Sequence, residues 1–184
     1  MFAESGSPGM EALRPVTKAK SKILVWKDVT VRDLERLERA QSDDDLRRAL
    51  SEWLHVEDGL CEPRASALRD LYYYTVRFCW DRGFSREQTS CVFSVVKETH
   101  AACVGSPLGN VAECYRHFQD LLLCHAVHRP PSSISLFSAQ QLLLISDYMV
   151  TTYFRHFKLY KYVFTPQVNL DLTVTYDGRC GWQQ

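Results

Sequence analysis

From Thr30 onward, apolar residues recur at helical spacing in segment after segment, and all but one of the segments open on a capping residue. Thr30, with Asp33 at the third position, starts a helix whose apolar side is Val31, Leu34 and Leu37. Ser42 starts a second, with Asp43, Asp44 and Asp45 in the first turn, where the helix dipole favours negative charge. Its apolar positions Leu46, Ala49, Leu50, Trp53 and Leu54 fit the one-face template. Pro63 suits the first turn of a third helix, which buries Leu68, Leu71, Tyr72, Thr75, Val76 and Cys79 and ends at Gly83 as a left-handed cap. Ser85 with Gln88 opens a fourth, carrying Val92, Phe93, Val95, Val96, Thr99 and Cys103. After a break at 105–109, Asn110 with Glu113 opens a fifth, with Cys114, Tyr115, Phe118, Leu121, Leu122 and His125, ended by Pro130 and Pro131.

The longest helix-competent stretch is 138–164, from a Ser138/Gln141 capping box to Pro166. On a helical wheel Asp147, Thr151, Arg155 and Lys158 form one narrow polar stripe, and aromatic and aliphatic residues cover the rest of the circumference. A helix apolar on so many sides is expected to be wrapped by the others, with His156 as a hydrogen-bonded core histidine. Two stretches have a different period. Ile23, Leu24, Val25 and Trp26 read as a short extended segment laid against the helices. Val168, Leu170, Leu172, Val174 and Tyr176 alternate with polar residues as in a half-buried strand, which needs a partner edge. The expected fold is therefore all-α: a single compact domain of about six helices around a long C-terminal central helix, with a short extended N-terminal segment and a C-terminal strand. The boundaries are a basic leader at 1–22, the helical domain at 23–176 and a short tail at 177–184.

Composition narrows the function classes. At 184 residues, with 46% hydrophobic and 24% charged residues, the chain can bury a sizeable core. Its 22 basic and 22 acidic residues cancel, which argues against a nucleic-acid binder working through bulk charge. The leader, with Arg14, Lys18, Lys20 and Lys22, reads as a solvated arm; the sharper alternative is an arm that contacts an acidic surface. The uncharged run 132–146 is too short to span a bilayer, and the chain reads as soluble and cytosolic. An odd count of seven cysteines, five within helical patterns, reads as free thiols rather than a disulfide framework.

Candidate chemistry is sparse. His100 with Cys103 and Cys124 with His128 are the Cys/His pairs at helical ligand spacing, but no Cys-x-x-Cys accompanies them. The Asp43–Asp45 triplet lacks the alternate ligand spacing, sixth-position Gly and twelfth-position Glu of a calcium loop. No phosphate-cradling loop, nucleophile elbow or zinc-protease motif is present, so no catalytic residue, cofactor or metal is assigned. The basic, aromatic stretch 153–162 has the alternation of bulky anchors and cations found in calmodulin targets. The opposing reading is that its rings are core and its cations solvated.

Several stretches together carry a family likeness: Leu24-Val25-Trp26-Lys27-Asp28, Asp70-Leu71-Tyr72-Tyr73-Tyr74 with Phe78, Gly83-Phe84-Ser85 with Gln88, and the run from Tyr153 to Tyr162. From Ile23 to about Tyr176 the chain resembles the CLAMP family, subunits of a projection on the central-pair microtubules of motile cilia and flagella. Among animal members it is similar to cilia- and flagella-associated, coiled-coil-named proteins of the sperm flagellum. The resemblance implies a non-enzymatic axonemal subunit supporting motility, held by a large scaffold protein and close to calmodulin in the same projection, with neither nucleic acid nor membrane as partner. The alternative is a calmodulin- or calcium-regulated adaptor binding through 153–162. Coiled-coil-named relatives continue past the point matching Gln184, which reads this chain as a short form, and no residues here carry the calcium binding described for some relatives. The partner-binding candidates are Trp26, Arg155, Lys158, Lys161 and Tyr162.

Overall fold

Local start and stop signals in the sequence act as expected at most helix ends. The computed structural model describes residues 23–40, 42–54, 62, 64–130 and 133–165. Among them run α1 (Val31–Glu38), α2 (Asp43–Leu54), α3 (Arg64–Asp81), α4 (Arg86–Val104), α5 (Val111–Cys124), α6 (Ala139–Tyr148) and α7 (Phe157–Phe164). A π-turn (Met149–Tyr153) and a 3-10 turn (Phe154–His156) join the last two. Thr30, Ser85 and Ser138 each close a full capping box, and Ser42 accepts the Asp45 N–H at 3.1 Å. At Gly83 (φ +68°) the Phe84 N–H reaches the Cys79 carbonyl and the Gly83 N–H that of Trp80, both at 3.0 Å. Phe84 then packs edge-on against Phe78, completing a Schellman ending in which glycine supplies the left-handed turn.

The caps of α4 and α6 are also joined to each other. Gln88 and Gln141 hold their own helix starts and exchange amide hydrogen bonds at 3.2 and 3.3 Å, while Gln88 also donates to the Leu136 carbonyl at 2.9 Å. Two glutamates, the usual third residues of capping boxes, would repel here; two amides offer donors and acceptors in both directions.

The all-α expectation holds for the described residues, but the hub is α4, not 138–164. Eleven of its 19 residues are buried, and it packs against α3, α5 and α7. Its polar residues do not prevent this. Thr89 and Thr99 donate to the carbonyls four residues back, at 2.9 and 2.7 Å, so their hydroxyls are satisfied within the helix. The expected long helix is instead interrupted, and one side of it is wet: Asp147, Thr151, Arg155 and Lys158 are exposed, as the wheel implied, and so are Leu143, Val150, Leu159 and Tyr162. The interruption follows from the spacing of its inner residues. Ile145, Met149, Tyr153 and Phe157 are all buried at four-residue intervals, a register that drifts by about 40° per step on an ideal α-helix. The wider π-turn takes up that drift, and Thr151 and Thr152 donate to the Asp147 and Tyr148 carbonyls at its start. The second correction is His156, which is exposed and bonds through Nδ1 to the Thr152 carbonyl at 2.8 Å. The leader 1–22, the strand expected at 168–176 and the tail 177–184 lie outside the described residues.

Residues 23–30 lie against the helices as expected, though as a turn rather than an extended run. The Lys27 N–H bonds the Leu24 carbonyl at 3.2 Å, and Trp26 sits at φ 59°, a conformation that normally takes glycine. Three anchors offset this. The hydroxyl of Ser90 on α4 accepts the Trp26 N–H at 3.0 Å and donates to the Val29 carbonyl at 2.9 Å. The Leu24 N–H donates to Nε2 of the buried His125 at 2.9 Å. Lys27 pairs with Glu98, and Asp28 with Lys97 at 2.6 Å, both on α4. Because Nδ1 of His125 faces the Leu121 carbonyl at 2.8 Å, it must carry the proton, which leaves Nε2 free to accept. The same residue's carbonyl accepts the Leu136 and Phe137 N–H groups, so one histidine ties the first described segment, the end of α5 and the approach to α6.

Two measurements test this. Ser90→Ala leaves a backbone donor and acceptor without their partner; urea denaturation should show a loss on the order of 1–3 kcal/mol, and no loss would refute the anchoring role. Burial lowers His125 below its ordinary range and His100 to about 4 from 6.5. The unfolded chain therefore takes up these protons first, so stability is full above the unfolded value and declines as pH falls from 6.5 towards 4, by on the order of 3 kcal/mol for His100. Denaturation midpoints between neutral and mildly acid pH should fall, and His100→Gln should flatten that fall.

Candidate partner-binding groove

Beyond the end of α4 the chain turns through 105–110 into α5, and α7 packs back against α4. Asn110, expected to cap α5, makes no side-chain capping bond. It holds this corner instead, its Nδ2 donating to the Ala102 carbonyl at 2.9 Å and its Oδ1 accepting from Lys161 Nζ at 2.7 Å. Lys161 also donates to the Cys103 carbonyl, one of the acceptors left open at the end of α4, where a cation complements the helix dipole. α7 is thereby fixed beside the 105–110 corner.

Inward, α7 and the turns before it carry an aromatic cluster. Tyr153 stacks on Tyr160 at 4.7 Å, Phe154 packs against Tyr115 and Phe118, and His100 meets Phe164 at 4.7 Å and the Tyr153 hydroxyl at 3.0 Å through Nδ1. Outward, a groove of about 1080 Å³ lies between α7 and the 107–111 corner. Leu108, Val111, Leu159 and Tyr162 line it with 73%, 49%, 60% and 67% of their surfaces exposed. Arg155, Lys158 and Lys161 also line it, and among the described residues no carboxylate does.

The structure thus brings together four of the five residues named from sequence: Arg155, Lys158, Lys161 and Tyr162. Trp26 is elsewhere. Its contact Ser90 lies thirteen positions before Cys103, about 20 Å along α4, and Trp26 is half-buried against the core. Lys161 is engaged within the chain, so Arg155 and Lys158 are the solvated cations of the groove. Sequence reasoning missed Leu108 and Val111, because a corner closing on a helix fifty residues later leaves no local pattern.

The remaining candidates are absorbed by the core. His100 and Cys103 lie at the end of α4 and Cys124 and His128 at the far end of the antiparallel α5, so the two Cys/His pairs do not converge. Among the described residues no group of three or more His, Cys, Asp or Glu side chains could hold a metal. Asp45 accepts from the Ser42 hydroxyl at 2.8 Å, and Asp43 faces Arg77 at 3.7 Å. Cys79, Cys91, Cys103, Cys114 and Cys124 are free, and burial pushes the first four thiols up, away from the reactive thiolate; Cys61 and Cys180 lie outside the described residues. As for calmodulin, Tyr153 and Phe157 are interior and Phe154 and Tyr160 half-buried, so 153–162 is not offered as a free anchor helix. No described helix is long and apolar enough to cross a membrane.

Residues 74–172 match the family model CLAMP, flagellar C1a complex subunit C1a-32. That span is more than half of the 184 residues and contains both walls of the groove.

The two faces of α7 should respond differently to truncation. Phe157→Ala opens the core and should cost about 3–5 kcal/mol, whereas Leu159→Ala should stay within about 0.5 kcal/mol. Equal losses in chemical denaturation would contradict the division into a packed and a wet face.

Proposed function

The chain belongs to the CLAMP family, flagellar C1a complex subunits, and from that premise we propose that it is a non-catalytic structural subunit of the central-pair projection, held by a large scaffold protein and supporting flagellar motility. Family membership gives its location as the axoneme of the cilium or flagellum. The observation that carries the proposal is that the matched stretch contains the groove, where a contiguous set of apolar side chains stays wet beside the solvated cations Arg155 and Lys158. Isolated exposed leucines are ordinary on protein surfaces; a contiguous set between two fixed walls marks an interaction site.

The chemistry of the interior supports the absence of catalysis. Its histidines His100 and His125 are buried, held neutral and bonded to groups within the fold. Among the described residues the groove presents cations, aromatic rings and leucines with neither a carboxylate nor a thiol, and its one imidazole, His156, is bonded through Nδ1 to the Thr152 carbonyl with no nucleophile beside it. Calmodulin regulation through 153–162 is not favoured, since displacing Tyr153 and Phe157 would dismantle the aromatic cluster.

Proximity labelling from the tagged chain in motile cilia tests the proposal. The labelled set should be enriched in central-pair projection proteins, and the chain should leave the axoneme in the same extraction step as they do. Labelling confined to membrane or doublet-microtubule proteins would refute it.

A further inference from the structure

We propose that the groove between α7 and the 107–111 corner receives an acidic amphipathic helix from a partner protein. This deepens the structural-subunit reading and rests on it.

The first argument is charge. Acidic and basic residues balance across the chain, yet among the described residues the groove is lined by Arg155, Lys158 and Lys161 without one carboxylate. Lys161 is taken up by Asn110 and the end of α4, but Arg155 and Lys158 are exposed and make no ion pair among the described residues. Contrast Arg86, which grips Glu38 and Glu35, and Lys97, which holds Asp28. Two solvated cations beside wet apolar surface are complementary to a ligand with carboxylates flanking a hydrophobic stripe. Two are too few for a phosphate backbone or an anionic bilayer, which are held by larger basic clusters.

The second argument is shape. Small-molecule pockets are closed around their ligands, whereas the apolar walls of this groove are mostly open to solvent. Its long wall is a helix presenting Leu159 and Tyr162 three residues apart, the spacing at which the side chains of a second helix interdigitate. The described residues contain no strand whose edge could take up an extended peptide. A helix laid in a groove, reading i, i+3, i+4 and i+7 anchors, is the mode this surface fits.

The probe is a fluorescent amphipathic peptide of about 18 residues, long enough to form helix, with leucine at i, i+3, i+4 and i+7 and glutamate between, beside the same peptide with lysine for glutamate. Titrated against the full chain, the glutamate peptide should bind saturably and weaken as salt rises, and the lysine peptide should not bind. Arg155→Glu with Lys158→Glu, and separately Leu159→Glu, should each weaken binding at least about tenfold while circular dichroism and thermal midpoint stay unchanged, all three residues being exposed. Equal binding of both peptides, binding indifferent to these substitutions, or equal binding of anionic vesicles would overturn the proposal. So would a homodimer in light scattering that Leu159→Glu dissolves, or a tenfold gain in peptide affinity on removing 166–184, which would assign the groove to a second copy or to this chain's own C-terminal segment. In axonemes, the doubly charge-reversed chain should be lost while the native chain is retained. Retention of both defeats the groove assignment and leaves the subunit reading standing; absence of the native chain from the axoneme defeats the subunit reading itself.

Discussion

A helix buried on nearly every side has to be surrounded, and α4 imposes that requirement on the rest of the chain. α3 and α5 flank it, α7 packs against it, and residues 24–30 close over it. The last of these is the demanding one. A non-helical segment brings backbone N–H and C=O groups to the core that a neighbouring helix cannot pair with its own backbone. Ser90, donor and acceptor at once, satisfies two of them, and His125 a third. Without such side chains the segment would lose more by desolvation than its apolar residues gain.

Much of this was legible where the physical cause is local. Ser85/Gln88, Ser138/Gln141 and Gly83 announce helix ends within a few residues of themselves, and the structure forms them so. The identity of the hub was not legible. By composition 138–164 is the more apolar stretch, while α4 is interspersed with serine and threonine. The hydroxyls of Thr89, Ser90 and Thr99 find partners inside the fold, a property that hydropathy does not record, and in α4 only that of Ser94 is buried without one. Asn110 misled for a related reason. Asparagine before a helix reads as a cap, but Lys161, fifty-one positions later, offers its amide oxygen a charged donor.

The candidate site was half legible. Arg155, Lys158, Lys161 and Tyr162 stand out as a basic, aromatic run, and all four line one groove. Alternation alone could not say which rings face in. Phe157 and Leu159 are both apolar and two residues apart, and their opposite fates are settled by the packing of Phe157 with Tyr153 and Phe154. The family match contains this arrangement whole, whereas Trp26 and the turn it sits in lie before the matched stretch. The anchored turn thus lies outside the matched stretch, while its anchors Ser90 and His125 lie inside it with the groove.

The π-turn at 149–153 gives one residue an influence out of proportion to its size. Such a turn is equivalent to an α-helix with a single amino acid inserted, and each amino acid advances a helix by about 100°. Deleting one position there would restore α-helical spacing across 149–153 but swing everything downstream through roughly that angle. Leu159 and Tyr162 would then point along a new azimuth, away from Leu108 and Val111. In lineages carrying this chain, gain or loss of a single codon in that stretch would re-aim the binding face in one step, with no change to any residue that forms it.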